Sequence, residues 1–235
     1  MGLKLVEQPS KTFLRSSVQI EPAMQRPTII AIGGFTSEVG KTTLMCDLLQ
    51  AFPGWEAIKT TRGHYRSCGK AADACCVSHL LSREPVIRSG REQTYERGKD
   101  TGRYWDAGAA NVHWVIVTEE QVEQGIKKAL ERITAPGVFI EGNSFTRFVN
   151  VDLMLMVTRA SGGKIKSSAR RALTMASALY LSDPVNSGSG ARAKFALWQS
   201  ESVAGKLIGE LPIYTREDLP QLIGRLQRIH SALAA

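Results

Sequence analysis

The 235-residue sequence lacks any run approaching the roughly 18 consecutive apolar residues of a membrane-crossing helix, so a membrane span is not expected. Its N-terminus is mixed polar and has no apolar stretch of the secretory kind. Cysteine is scarce: Cys46, Cys68, Cys75 and Cys76 in a chain of this size do not make a disulfide scaffold, and the cytoplasm is the expected compartment. No long basic run and no RNA-binding signature is present, which ranks nucleic acid well below small anions as a partner. There is no internal repeat.

What is present fits one α/β domain with embellishments. Hydrophobic residues make up 43% and charged residues 22%, enough for a soluble protein with a substantial core. Lys and Arg number 30 against 22 Asp and Glu, and the resulting +8 favours anionic ligands, with phosphates the obvious class.

Residues 1–27, punctuated by Pro9, Pro22 and Pro27, read as an N-terminal arm before a domain over 28–235. Thr28–Ile32 is a β-branched run stopped by Gly33-Gly34, the pattern of a buried strand. Gly40 to Phe52 carries Leu44, Met45, Leu48 and Leu49 at helical spacing. Further strands are expected at 57–60, 112–117, 137–141, 152–157 and within 206–214, and helices at 119–133 and 165–180. Residues 182–192 read as a Ser/Gly/Pro loop. A last helix runs from Thr215, its N-cap, to His230, with Asp218 completing a capping box. The stretch 61–105 reads as a polar, Arg- and Gly-rich insertion with a helical portion only at 71–82. Short apolar strands alternating with helices imply a mostly parallel sheet covered on both faces.

The segment between the first strand and first helix is the strongest chemical signal. Gly34-Phe35-Thr36-Ser37-Glu38-Val39-Gly40-Lys41-Thr42 is a glycine-rich loop ending in Gly-Lys-Thr at a helix start. Backbone amides of such a loop converge on phosphate oxygens, and the helix dipole adds to them. Lys41 is placed to neutralise β- and γ-phosphates and Thr42 to offer a hydroxyl to Mg²⁺, with Thr43 beside it. The standard pattern puts glycine six residues before the lysine, where this chain has Phe35; the glycine is one place earlier.

This displaced glycine resembles the loop of dethiobiotin synthetases, within the simibi class of P-loop NTPases that includes nitrogenase iron protein-like members. A second set of residues, Gly98-Lys99-Asp100-Thr101, Arg103, Ala107-Gly108-Ala109 and Glu141-Gly142, resembles molybdopterin-guanine dinucleotide biosynthesis protein B. Together these resemblances imply a P-loop NTPase architecture over roughly 28–158, with ATP or GTP and Mg²⁺ as ligands. Lys59 falls where dethiobiotin synthetases carry a substrate-binding lysine, but Thr60-Thr61-Arg62-Gly63-His64 replaces the rest of that motif.

A triphosphatase needs a carboxylate near the metal and a means of placing the nucleophile. Glu141 ends an apolar strand, where open α/β sheets bind ligands, and Asp100 is the second candidate. Lys41, Glu141 and Asp100 are thus the expected catalytic set, with Thr42, Glu141 and Asp100 at Mg²⁺. His64, Cys68, Cys75, Cys76 and His79 fall within sixteen positions and are candidate ligands for a second metal, but no paired Cys-x-x-Cys occurs, and a helix packed through Val77, Leu80 and Leu81 is the favoured account of Cys75, Cys76 and His79. Arg62 and the cluster Arg159, Lys164, Lys166, Arg170 and Arg171 are candidate anion contacts. No Asn-Lys-x-Asp guanine motif is present, so ATP and GTP both stay open, with Asn186 a candidate base contact.

Three functions fit these residues. The leading one is a Mg²⁺-dependent NTPase in a biosynthetic or metallocofactor-assembly role. The others are an ATP-dependent small-molecule ligase, carboxylase or kinase, and a non-catalytic nucleotide-dependent binding module for a protein partner. The sequence leaves the second substrate, the partner and a homodimer open.

Overall fold

A computed structural model describes residues 26–63, 77–183 and 188–235. The N-terminal arm lies outside these residues apart from its last two, and so do His64, Cys68, Cys75, Cys76 and Asn186. Eight strands form one sheet: β1 (Thr28–Gly34), β2 (Glu56–Arg62), β3 (Val86–Ser89), β4 (Val112–Val117), β5 (Gly137–Glu141), β6 (Leu153–Thr158), β7 (Ala178–Leu181) and β8 (Ile213–Tyr214). Their spatial order is β3-β4-β2-β5-β1-β6-β7-β8, all parallel except β3, which runs antiparallel to β4 at one edge.

Helices cover both faces, as continuous apolar strands require. On one face α1 (Lys41–Ala51), α3 (Asp100–Asp106) and α7 (Leu219–Ala234) bury Leu44, Tyr104 and Leu222 against Ile30, Ile32, Phe139 and Leu155. On the other, α4 (Val122–Leu130), α5 (Ser167–Leu173) and α6 (Gly188–Glu201) bury Ile126, Ala169 and Phe195 against Ala31, Ile58, Val138 and Met154. Thr215 and Asp218 make the expected capping box ahead of α7. No helix among the described residues is long and apolar enough to cross a membrane.

Three segments differ from expectation. The run over 165–180 is a shorter α5 followed by β7, since Ala178–Leu181 is fully buried and a short apolar run has no helix-specific period. Within 182–192 the structure starts α6 at Gly188, despite Gly188 and Gly190; Phe195 and Trp198, packed with ring centroids 5.3 Å apart, anchor it to the core and override weak local propensity. Of the stretch 61–105, the described residues supply β3, α2 (Arg91–Thr94) and most of α3. Of the expected helix over 71–82, the described part is a 3₁₀ turn at Ser78–Leu80.

Candidate phosphate and metal site

The glycine-rich loop leaves the carboxyl end of β1, between β5 and β6, where strand order changes direction. Its shape accounts for the displaced glycine. A Cβ on Gly34 would stand 2.8 Å from Val39 Cγ2 and 2.9 Å from Lys41 Cδ, so the close passage of the loop lysine falls at position 34. At position 35 the side chain turns inward instead: Phe35 is fully buried, its ring 6.1 Å from that of Trp198. Gly40 has φ +91°, and a Cβ there would meet Ser182, so glycine is needed at the helix entry for both reasons.

Contacts from four directions hold the loop. Asn143, just beyond β5, accepts from the Gly34 amide at 2.9 Å and donates to the Gly34 carbonyl at 2.8 Å. Ser182 donates to the Val39 carbonyl. Lys166 Nζ reaches Ser37 Oγ at 2.8 Å, and the Lys166 amide donates to Phe35 O at 3.1 Å. Arg159 points at the carbonyl of Glu38, a residue with φ 59°. Lys41 folds back over the loop to the Thr36 carbonyl at 3.2 Å. Burial lowers its pKa, with Lys59 and Lys166 adding to that effect and Glu141 and Asp100 opposing it.

The candidate metal residues converge beside this loop. Thr42 Oγ1 lies 3.0 Å from both Asp100 Oδ1 and Glu141 Oε2. Lys59 Nζ bridges the same two carboxylates, 2.6 Å from Asp100 Oδ2 and 2.5 Å from Glu141 Oε1. Burial works against the Lys59 charge, but Glu141 and Asp100 outweigh it and raise its pKa. Burial likewise opposes the Asp100 carboxylate, and Lys59 and Thr42 reverse that and depress its pKa. Tyr104 is buried and donates to Glu141 Oε2; burial and that carboxylate push its pKa well above the ordinary phenol value.

Local geometry explains how three elements meet here. Lys59 on β2 is the register partner of Glu141 on β5, so both side chains leave the same sheet face. Asp100 opens α3, and Tyr104 follows four residues later on the same helical face. A hydroxyl and two carboxylates are hard oxygen donors of the type Mg²⁺ takes, and the Lys59 ammonium shows that a cation is held between the carboxylates.

Other expected residues lie elsewhere. Thr43 is exposed on α1, within reach of Arg103 at 3.3 Å. Arg62 pairs with Glu119, and Arg171 lies 3.7 Å from the same carboxylate. His79 is exposed, and no three His, Cys, Asp or Glu side chains among the described residues are grouped to hold a metal. Burial pushes the Cys46 thiol up to about 11; the side chain is half-buried on α1, packed against the core. Asn143, Tyr104 and Ser182 were not singled out from sequence. The signals were modest: Asn143 directly follows Glu141-Gly142, and Tyr104 stands one helical turn after Asp100.

Two cavities flank the cluster along the sheet. One, of about 420 Å³, lies over the β7 side and is lined by Gly40, Thr43, Arg159, Tyr180, Asp183 and Arg216. The other, of about 520 Å³, lies over β2, β4 and β3 beyond Lys59 and Asp100.

A central parallel strand, a glycine-rich turn, Lys-Thr at a helix start and an adjacent strand ending in a carboxylate decide the architecture. The fold is α/β, a mostly parallel sheet with helices on both faces, and resembles that of P-loop NTPases. Among solved structures, this chain is similar to HypB from Helicobacter pylori in complex with nickel, at 13% identity over 88% of each chain and a TM-score of 0.47. It is also similar to LpxK from Aquifex aeolicus in complex with ATP, at 18% identity over 66% of this chain and 48% of that one, TM-score 0.42. A third is the signal recognition particle 54 kDa protein from Aeropyrum pernix in complex with GDP, at 16% identity over 92% of this chain and 51% of that one, TM-score 0.42. No protein-family profile and no curated protein matches the sequence.

Proposed function

We propose that this P-loop protein binds a Mg²⁺–nucleoside triphosphate, ATP or GTP, and hydrolyses it in a biosynthetic or metallocofactor-assembly role. The observation that carries the reading is the convergence of Thr42, Asp100, Glu141 and Lys59 directly beside the glycine-rich loop. Loop amides and the α1 N-terminus hold the phosphates, and Lys41 swings from the Thr36 carbonyl to the β/γ oxygens. Thr42, Asp100 and Glu141 hold Mg²⁺, which would supply charge neutralisation at the transferring phosphoryl group. The nucleoside lies over the β7 cavity, which leaves the γ-phosphate facing Glu141 and Lys59. The metallocofactor role rests on the motif resemblance at 98–109 and 141–142.

Lys41→Ala tests the reading. Removing a charge aimed at phosphate is expected to cost on the order of 2–5 kcal/mol of triphosphate affinity by calorimetry, with the fold retained by circular dichroism. Equal affinity in the folded variant overturns the phosphate-loop assignment. A second reading, transfer of the phosphoryl group to a small molecule, is favoured by the cavity beyond Lys59. Equal release of nucleoside diphosphate and free phosphate from nucleotide alone supports hydrolysis; nucleoside diphosphate formed only with an added metabolite, without matching free phosphate, supports transfer.

A further inference from the structure

We infer that the cavity over β2, β4 and β3 is a second ligand site, built for an anionic small molecule with a flat, unsaturated body. The inference relies on the proposed nucleotide reading only for what lies next door, the γ-phosphate end of the triphosphate.

Strand register lays down the site. Arg88 on β3 is the partner of Trp114 on β4, Trp114 of Lys59 on β2, and Lys59 of Glu141 on β5. Residues directly opposite one another share a sheet face, so the four form one row: cation, indole, cation, carboxylate. The row runs from the sheet edge to the strand beside the phosphate loop. Its last two members belong to the candidate metal cluster, and its first two have no part in it.

The row is held in place. Trp114 Nε1 donates to Thr61 Oγ1 at 2.9 Å, which fixes the plane of the indole. The Arg88 guanidinium lies 5.7 Å from the Trp114 ring centroid and makes no ion pair among the described residues. Two other lining residues are held from behind: Arg91 lies over the Tyr95 ring at 4.1 Å, and Trp105 donates to Thr94 Oγ1 at 2.8 Å. Two aromatic rings, Trp114 and Tyr95, thus line a cavity of about 520 Å³ together with three cations, Arg88, Lys59 and Lys99, and two carboxylates, Glu96 and Asp100; the carboxylates have cation partners, Glu96 with Lys99 at 4.0 Å and Asp100 with Lys59 at 2.6 Å. Sites of this volume suit small-molecule ligands.

The lining selects the chemistry. Aromatic walls favour a flat body by stacking, and a guanidinium with no carboxylate partner among the described residues favours a phosphate or carboxylate that it can grip through two donors. Lys59 faces both the cavity and the metal cluster. An anion in the cavity and a triphosphate in the loop therefore share one cation, which couples the two sites reciprocally.

The test uses 1-naphthyl phosphate as the probe, with uncharged 1-naphthol and inorganic phosphate as controls. Binding is measured by calorimetry on the full chain, alone and with a saturating non-hydrolysable Mg²⁺-triphosphate. The expected result is saturable binding of the probe in both conditions, with both controls weaker. Arg88→Gln should weaken the probe about tenfold or more, Arg88→Lys should recover part of the loss, and triphosphate affinity should be unchanged in both variants. Absence of saturable binding to the wild-type protein overturns the inference. So does equal binding to the folded Arg88→Gln variant, or complete displacement by triphosphate, which would put the probe in the phosphate loop. Arg88-dependent probe binding by a protein that takes up no triphosphate supports the cavity and overturns the nucleotide reading instead, so the two failures are distinguishable.

Discussion

Two buried glutamates on neighbouring strands are equally shielded from solvent, and they are held in opposite ways. Glu56, at the start of β2, accepts from the Thr134 amide and hydroxyl and from the Ala135 amide on one oxygen, at 2.9–3.0 Å. Its other oxygen contacts His113 Nε2 at 2.8 Å, and His113 Nδ1 in turn contacts Ser89 Oγ. Among the described residues, the Glu141 carboxylate at the end of β5 is met by side chains alone: Lys59, Thr42 and Tyr104. Backbone amides cannot leave without unfolding the turn that carries them, whereas a lysine or threonine can exchange one partner for another. The same buried carboxylate is therefore fixed by backbone at the amino end of the sheet and held by exchangeable side-chain partners at the carboxyl end. Burial alone does not mark a functional acid; the mobility of its partners does.

The sharpest way to break this comparison is Glu56→Ala. It removes the acceptor for two amides, a hydroxyl and a histidine, and breaking a buried pair of this sort costs about 3–5 kcal/mol. The denaturation midpoint should fall accordingly, and a loss under about 1 kcal/mol would show that Glu56 is not fixed in this way.

Glu141→Gln should do the reverse. Denaturant unfolding is expected to shift by no more than about 1–2 kcal/mol, because Asp100 still pairs Lys59 and the amide still accepts from Tyr104. Triphosphate turnover should fall by roughly 10²-fold or more, since charge placement carries most of the rate. Asp100→Asn should follow the same pattern. Wild-type turnover in both variants would remove these carboxylates from the chemistry.

Acid provides the mildest test. Hydrogen bonds from His113 and Thr134 overcome the burial of Glu56 and hold its pKa below the ordinary 4.5, and Asp100 is depressed below 3.8 by Lys59 and Thr42. A carboxyl with a depressed folded-state pKa contributes stability above its unfolded pKa and loses it as pH falls through the folded value. The melting temperature should hold down to about pH 4.5 and decline below it. The Glu56→Ala variant should show a shallower decline, and an identical profile would remove Glu56 from the acid response.

Much of the site could be read from sequence because its signals are local. Thr28–Gly34, the loop and Lys41-Thr42 are contiguous, and an apolar strand ending in Glu141 needs only its own residues to be recognised. Asp100 was legible through the Gly-Lys-Asp-Thr segment. Phe35 broke the expected glycine pattern for a reason invisible locally: its ring finds a buried place against Trp198, some 160 residues away. The helix from Gly188 was likewise hidden, since packing of Phe195, not propensity, stabilises it.

The sequence by itself determined which chemical groups exist and on which kind of element each would sit: a glycine-rich turn with a lysine, a hydroxyl at a helix start, a carboxylate at a strand end. Only the tertiary structure decided which of them meet. Lys59 became the partner of Glu141 and Asp100, and Arg88 and Trp114 became its extension toward the sheet edge, through the pairing register of β3, β4, β2 and β5. A shift of one residue in any of those pairings would turn a member of the row to the opposite face. Register is fixed by burial on both faces at once, a property of the assembled sheet and not of any one strand.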